Sequence, residues 1–166
     1  MTRIATILLI LLGVLLLLQF YPKAPKNQSA QPTGYELEKT HAVPDPVLAI
    51  LQYSCYDCHS NHTNYPWYSS LQPVSFWLNQ HIEEGKDELN FSTFGSYSLR
   101  RQYHKLGEIA EQIEEDEMPL SSYTLIHRTA RLNSTQKNMV SSWVTALRDS
   151  FQANYPVDSL KRKKRR

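Results

Sequence analysis

Apolar positions along this chain form one continuous block followed by four interrupted stripes. The block, Ile4 to Phe20, is a 17-residue run broken only by Thr6, Gly13 and Gln19. At about 1.5 Å per residue it lies at the short end of what spans a bilayer, where roughly 20 residues are usual. It is longer than the apolar core of a cleaved leader, about 7–15 residues, and it ends Leu18-Gln19-Phe20-Tyr21-Pro22 without a small-x-small cleavage site. Residues 1–21 are therefore expected to be an uncleaved signal anchor, a transmembrane helix. Arg3 before the run and Lys23 and Lys26 after it leave the orientation open. Residues 22–44 hold Pro22, Pro25, Pro32 and Pro44 among polar residues with no apolar period, which predicts a linker holding a domain off the membrane.

The stripes have the helical period. Asp45-Pro46 predicts an N-cap and first helical position, followed by Val47, Ile50 and Leu51 on one face. A second helix is predicted from Pro73, with Val74, Trp77, Leu78, His81 and Ile82 on a common face and Gly85 as its stop. A third carries Leu99, Tyr103, Leu106, Ile109 and Ile113. A fourth opens at Asn133-Ser-Thr-Gln136, an N-cap with Gln at N3, and carries Val140, Trp143 and Leu147. There is no alternating strand pattern and no internal repeat. The reading is an all-α domain over residues 45–155, with a basic tail at 156–166. Long loops at 60–72, 86–97 and 117–132 suggest a chain wrapped around something other than protein.

Composition narrows the function. The chain of 166 residues is 41% hydrophobic, too apolar for a disordered chain, and its two cysteines cannot staple a miniprotein. No glycine-rich phosphate loop is present. The net charge of +2 conceals a division: residues 36–160 hold nine basic residues and sixteen acids, or −7, while Lys161 to Arg166 are all basic. A folded part that acidic is a poor partner for nucleic acid. The tail reads as a solubilising end or as a contact for anionic headgroups. Glu114 to Glu117 read as a solvated loop or as a docking patch for a basic redox partner.

Both cysteines fall in Cys55-Tyr56-Asp57-Cys58-His59, the attachment signature of c-type haem. Thiols at i and i+3 near a helix end can meet the two vinyl groups on one porphyrin edge, and the adjacent His59 can turn its imidazole to the iron. Other uses of the motif need other surroundings: a redox dithiol calls for a strand–helix context, and zinc needs further ligands such as His62. Haem attachment takes place outside the cytoplasmic membrane, which fits an exporting anchor and orients the chain. For the sixth iron ligand the residues favour Met118, in a loop and stiffened by Pro119; Met139 reads as helix core. His62, His81, His104 and His127 compete. Tyr65, Trp67 and Tyr68 are candidates to pack on the porphyrin or bond its propionates, or simply to fill the core.

These stretches, Cys55 to Tyr68, Pro73 to Gly85, Leu89 to Ser92, Met118-Pro119, Tyr123, His127 and Trp143, resemble the small exported bacterial haem-binding domain family, itself similar to monohaem cytochromes c. The likeness covers about residues 43–150. It implies a cytochrome c-like helical fold around one covalent haem c on Cys55 and Cys58, with His59 as axial ligand and Met118 at the family's Met-Pro position. This chain has Met-Pro-Leu where Met-Pro-Pro is common, and Asn133-Ser134 where a Leu-Ser cap is usual.

The expected function is that of a membrane-anchored electron carrier, not an enzyme, facing the periplasm or cell exterior and serving redox partner proteins of the membrane or periplasm. The alternative is a haem-based gas or redox sensor, or a minor peroxidase-like catalyst, with a labile sixth ligand.

Overall fold

The computed structural model describes residues 2–29 and 31–161; the basic residues Arg162–Arg166 lie outside them. Among the described residues the elements are helical, and extended pairing is limited to one bridge between Gln28 and His62. In chain order the helices are α1 (Arg3–Leu18), α2 (Leu37–Thr40), α3 (Asp45–Ser54), α4 (Tyr56–His59), α5 (Val74–Glu88), α6 (Leu99–Glu114), α7 (Ser121–Ile126), α8 (Ser134–Asn154) and α9 (Val157–Leu160). Single 3₁₀ turns at Trp67–Ser70, Phe91–Ser96 and Arg128–Ala130 occupy parts of the three expected loops.

The core is built on three of the four stripes; of the α5 stripe only Ile82 is buried, and Trp77 is exposed. Tyr103, Leu106, Ile109 and Ile113 of α6 pack on Val140, Trp143, Val144 and Phe151 of α8, and Val47, Ile50 and Leu51 of α3 close the third side. The start of α8 is fixed by a reciprocal cap: Asn133 Oδ1 accepts from Gln136 N–H at 2.9 Å, and Gln136 Oε1 accepts from Asn133 N–H at 2.9 Å. Helix α3 starts one residue differently from the expectation, with Pro44 at the cap and Asp45 already helical.

Three expectations change. Gly85 does not stop α5, which runs on to Glu88. A Cβ there would lie 2.9 Å from the Cys58 carbonyl oxygen, so the glycine exists to let α5 approach α4. The spacer over 22–44 is bonded along the domain for much of its length. Asn27 alone donates Nδ2–H to Ser60 O and to Thr63 Oγ1, and accepts from Lys86 Nζ through Oδ1. Further on, Gly95 N–H donates to Tyr35 O, Leu37 is fully buried, and Trp143 Nε1–H donates to Ala42 O. At the other end α9 buries Leu160 and packs on α6 and α8, so the domain continues past 155.

The apolar block at 4–20 folds as α1, 16 residues with none of them buried. No described helix is long and apolar enough to cross a membrane. Its C-terminal end meets the domain at one point: Gln19 donates Nε2–H to Gln72 O at 3.0 Å and accepts Gln72 N–H at 3.1 Å.

Candidate functional site

Helix α3 ends at Ser54, and the backbone breaks at Cys55 (φ −127°, ψ −39°) before α4 resumes. His59 N–H donates to Cys55 O at 3.0 Å, so the thiols and the imidazole are held on one short turn. Helix α5 lies directly against this turn because of Gly85, and it also fixes the histidine. His59 Nδ1–H is shared between Gly85 O at 2.8 Å and Leu89 O at 3.0 Å. Donation from Nδ1 fixes the tautomer and leaves Nε2 as the lone-pair nitrogen, the arrangement found where a histidine binds a metal. Burial lowers the His59 pKa, against the two carbonyls that raise it, so the ring is neutral and able to ligate at physiological pH.

Burial pushes the Cys55 thiol up to about 12 and the Cys58 thiol up to about 11, with the Cys58 and Asp57 charges adding respectively. Both sulfurs are free and protonated. A redox dithiol needs the opposite, a depressed thiolate. No group of three or more His, Cys, Asp or Glu side chains among the described residues is arranged to hold a metal ion, and His62 is exposed beside the Gln28 bridge. The zinc reading therefore loses its remaining ligands.

The loop carrying Met118 lines the same cleft as this turn. Helix α6 ends in a Schellman turn: Glu117 N–H donates to Gln112 O at 3.0 Å, Asp116 N–H to Ile113 O at 3.4 Å, and Asp116 takes the left-handed conformation (φ 60°). Asp116, the member of the acidic run at this turn, pairs with Lys137. The reversal sends Met118 back over the cleft. One cavity of about 420 Å³ is lined by Cys55, His59, Phe91, Ile109, Ile113, Met118 and Leu132 among others. A second, of about 270 Å³, adds Cys58, His81, Gly85 and Tyr123, and shares Cys55, His59 and Met118 with the first. The loop is tied to the attachment turn by Tyr123, whose hydroxyl donates to Asp57 Oδ2 at 2.7 Å. Its ring stacks on His127 at 4.4 Å, and His127 Nε2 meets the Tyr68 hydroxyl at 2.6 Å.

Sequence reasoning named Cys55, Cys58, His59 and Met118, and the structure brings all four to one cleft. It missed Asp57, which lies inside the motif, and Lys105, the lysine that lines the larger cavity. Burial works against the charge of Lys105, but bonds from Glu108 and Glu88 outweigh it and raise the pKa. Tyr65, Trp67 and Tyr68 line neither cavity. Tyr65 accepts Asn27 N–H, Tyr68 serves His127, and Trp67 is 81% exposed. Of the competing histidines, His81 lines the smaller cavity, His104 is exposed and paired with Glu108, and His127 is bonded to Tyr68.

These groups suit a haem: two thiols, one imidazole nitrogen with a free lone pair, a thioether in the same cleft, and apolar walls from Leu89, Phe91, Ile109, Ile113 and Leu132 beside the charged Glu88, Lys105, Glu108 and Glu111. Fold and site together define a small helical haem-binding protein. The model of the haem-binding domain family matches residues 13–146, and the chain belongs to that family. No curated protein and no solved structure matches it.

Proposed function

We propose that this protein is a membrane-anchored monohaem c-type cytochrome that carries electrons outside the cytoplasmic membrane. In this reading Cys55 and Cys58 hold the haem through thioethers, each thiol S–H adding across a vinyl double bond. His59 Nε2 and Met118 Sδ would hold its iron. The bound group supplies a one-electron couple. The chain's own residues hold that couple steady: Gly85 O and Leu89 O fix the imidazole ring, the Asp57–Tyr123 bond holds the Met118 loop closed, and Phe91, Ile109, Ile113 and Leu132 exclude water. A thioether ligand would favour the reduced iron relative to a second histidine. The observation that carries the reading is the convergence of Cys55, His59 and Met118 on one cavity with His59 Nδ1 already committed.

The same reading takes α1 as a short lipid-embedded anchor. At about 1.5 Å per residue its 16 residues reach roughly 24 Å, against a hydrocarbon core of about 30 Å. Phe20 and Tyr21 extend the apolar stretch, and its large side chains, Ile4 to Leu18, have no protein partner that buries them. Its partners would be redox proteins of the membrane or periplasm.

Visible spectra test the ligand set. The holoprotein should keep its colour through denaturing electrophoresis and acid–acetone extraction. Oxidised, it should show the weak far-red band of thioether ligation, and reduced, it should not bind carbon monoxide. Met118→Ala should abolish the band, lower the potential and admit carbon monoxide, with covalent attachment intact. An unchanged spectrum in Met118→Ala, with a changed one in His81→Ala, would make His81 the ligand.

A further inference from the structure

We propose that the aromatic surface around Gln72 is a seat for the phospholipid interface, so that the domain rests on the bilayer beside its anchor instead of swinging on a tether; this rests on the anchoring reading above. Trp67 is 81% exposed, Phe76 59%, Leu71 45% and Trp77 42%. A cluster of that kind is unusual on a free protein surface and marks a site of contact. Its position identifies the contact. Gln72, only 3% exposed, lies among these residues and exchanges two hydrogen bonds with Gln19 at the end of α1, accepting Nε2–H through its carbonyl oxygen and donating its N–H to Oε1. Phe20 and Tyr21, 86% and 60% exposed, follow immediately on the anchor side. The point where the anchor leaves its helix is therefore the point where the domain exposes its indole and phenyl rings.

Charge supports the same occupant. No Asp, Glu, Lys or Arg occurs between Cys58 and Ile82, in a chain that is 20% charged overall. An uncharged surface enters the headgroup region without desolvating ions, and indole rings partition to that depth. Lys23 and Lys26 follow the anchor in sequence, the latter over the Tyr65 ring at 5.4 Å, where anionic headgroups would meet them. The bonding of Asn27 to Ser60, Thr63 and Lys86 leaves only residues 20–26 between anchor and domain, at most about 25 Å of extended chain, and the Gln19–Gln72 bonds close that distance at the anchor's end.

The test uses full-length holoprotein in phosphatidylethanolamine–phosphatidylglycerol vesicles with labelled acyl chains. A photoreactive benzoylphenylalanine replaces Trp67 or Phe76, or, as control, Val157, which is 64% exposed on α9. The expected result is flotation of all three proteins with the vesicles and lipid adducts at 67 and 76 several-fold above 157. Flotation with adducts equal at all three positions would overturn the seat and leave the anchor standing, as would adducts to a second copy of the chain. Protein that stays at the bottom of the gradient would overturn both readings. A second measurement is independent of the probe: Trp67→Glu with Phe76→Glu should speed tryptic cleavage at Lys23 and Lys26 in vesicles several-fold, and an unchanged rate would count against the seat.

Discussion

Gly85→Ala puts the packing of the site to a quantitative test. Helix α5 continues through this residue, so alanine gains helix propensity worth about 0.5–1 kcal/mol. Against that, the new methyl would stand 2.9 Å from Cys58 O, 3.3 Å from its carbonyl carbon and 3.3 Å from its Cβ. Ordinary contact begins near 3.4 Å, so the helices must part by about half an ångström, and the obstacle is backbone, which cannot rotate away. Overpacking of this kind costs about 1–3 kcal/mol, which exceeds the propensity gain. The net expectation is a loss of about 0.5–2 kcal/mol, read as a lower denaturant midpoint at constant m-value. Parting the helices also lengthens the 2.8 Å bond from His59 Nδ1 to Gly85 O, so the axial-ligand spectrum should change as well. Gly107→Ala is the matched comparison: its methyl meets only the guanidinium end of Arg148, at 3.1 Å, and that side chain can move. It should be neutral or slightly stabilising. Gly85→Ala as stable as the parent, or less damaging than Gly107→Ala, would refute the reasoning.

Tyr123→Phe removes a hydrogen bond to the Asp57 carboxylate worth about 1.5–3 kcal/mol. It should admit carbon monoxide to the reduced protein at rates between parent and Met118→Ala, with covalent attachment unchanged. Cys58→Ala should leave a single thioether, recognised by a red-shifted reduced spectrum and reduced accumulation of holoprotein. His41 stacks on Phe151 and edges Phe94, and burial lowers its pKa in spite of its hydrogen bond to the Gln102 side chain. Because the unfolded chain binds the proton more readily, stability should fall as pH drops below about 6.5, and His41→Phe should reduce that slope in urea titrations at pH 7 and pH 5.

What could be read from the chain was local. The cap at Asn133 and Gln136 lies within four residues, and the α6 stripe repeats within one helix, so both were legible. The attachment turn was legible for the same reason, since Cys55, Cys58 and His59 span a single turn. Gly85 was misread because a glycine that ends a helix and one that admits a neighbouring backbone look alike until the neighbour is known. The segment after Pro22 has the composition of a spacer, yet the side chain of Asn27 joins it to residues more than thirty positions away. Tyr65, Trp67 and Tyr68 read alike as porphyrin-packing, propionate-bonding or core residues, and nothing in Tyr65-Pro66-Trp67-Tyr68 says that Trp67 is the ring that turns outward. The bond between Asp57 and Tyr123 links residues 66 positions apart, both of them inside noted motifs, and no spacing rule connects them.

The two carbonyls that receive the His59 proton stand at and just past the last turn of α5, the negative pole of a 15-residue helix. That pole bears on the one ring through which added positive charge would be felt when an attached iron is oxidised. Glu88 and Lys105, paired at 2.9 Å beside it, largely cancel each other. A helix terminus contributes about 0.3–1 kcal/mol to a neighbouring cation, which for a single electron corresponds to about 13–43 mV in favour of the oxidised state. Under the proposed ligand set the helix would oppose the preference for the reduced state that a Met118 thioether brings. The turn that supplies this field is also the turn that orients the imidazole, so ring position and midpoint are set by the same backbone.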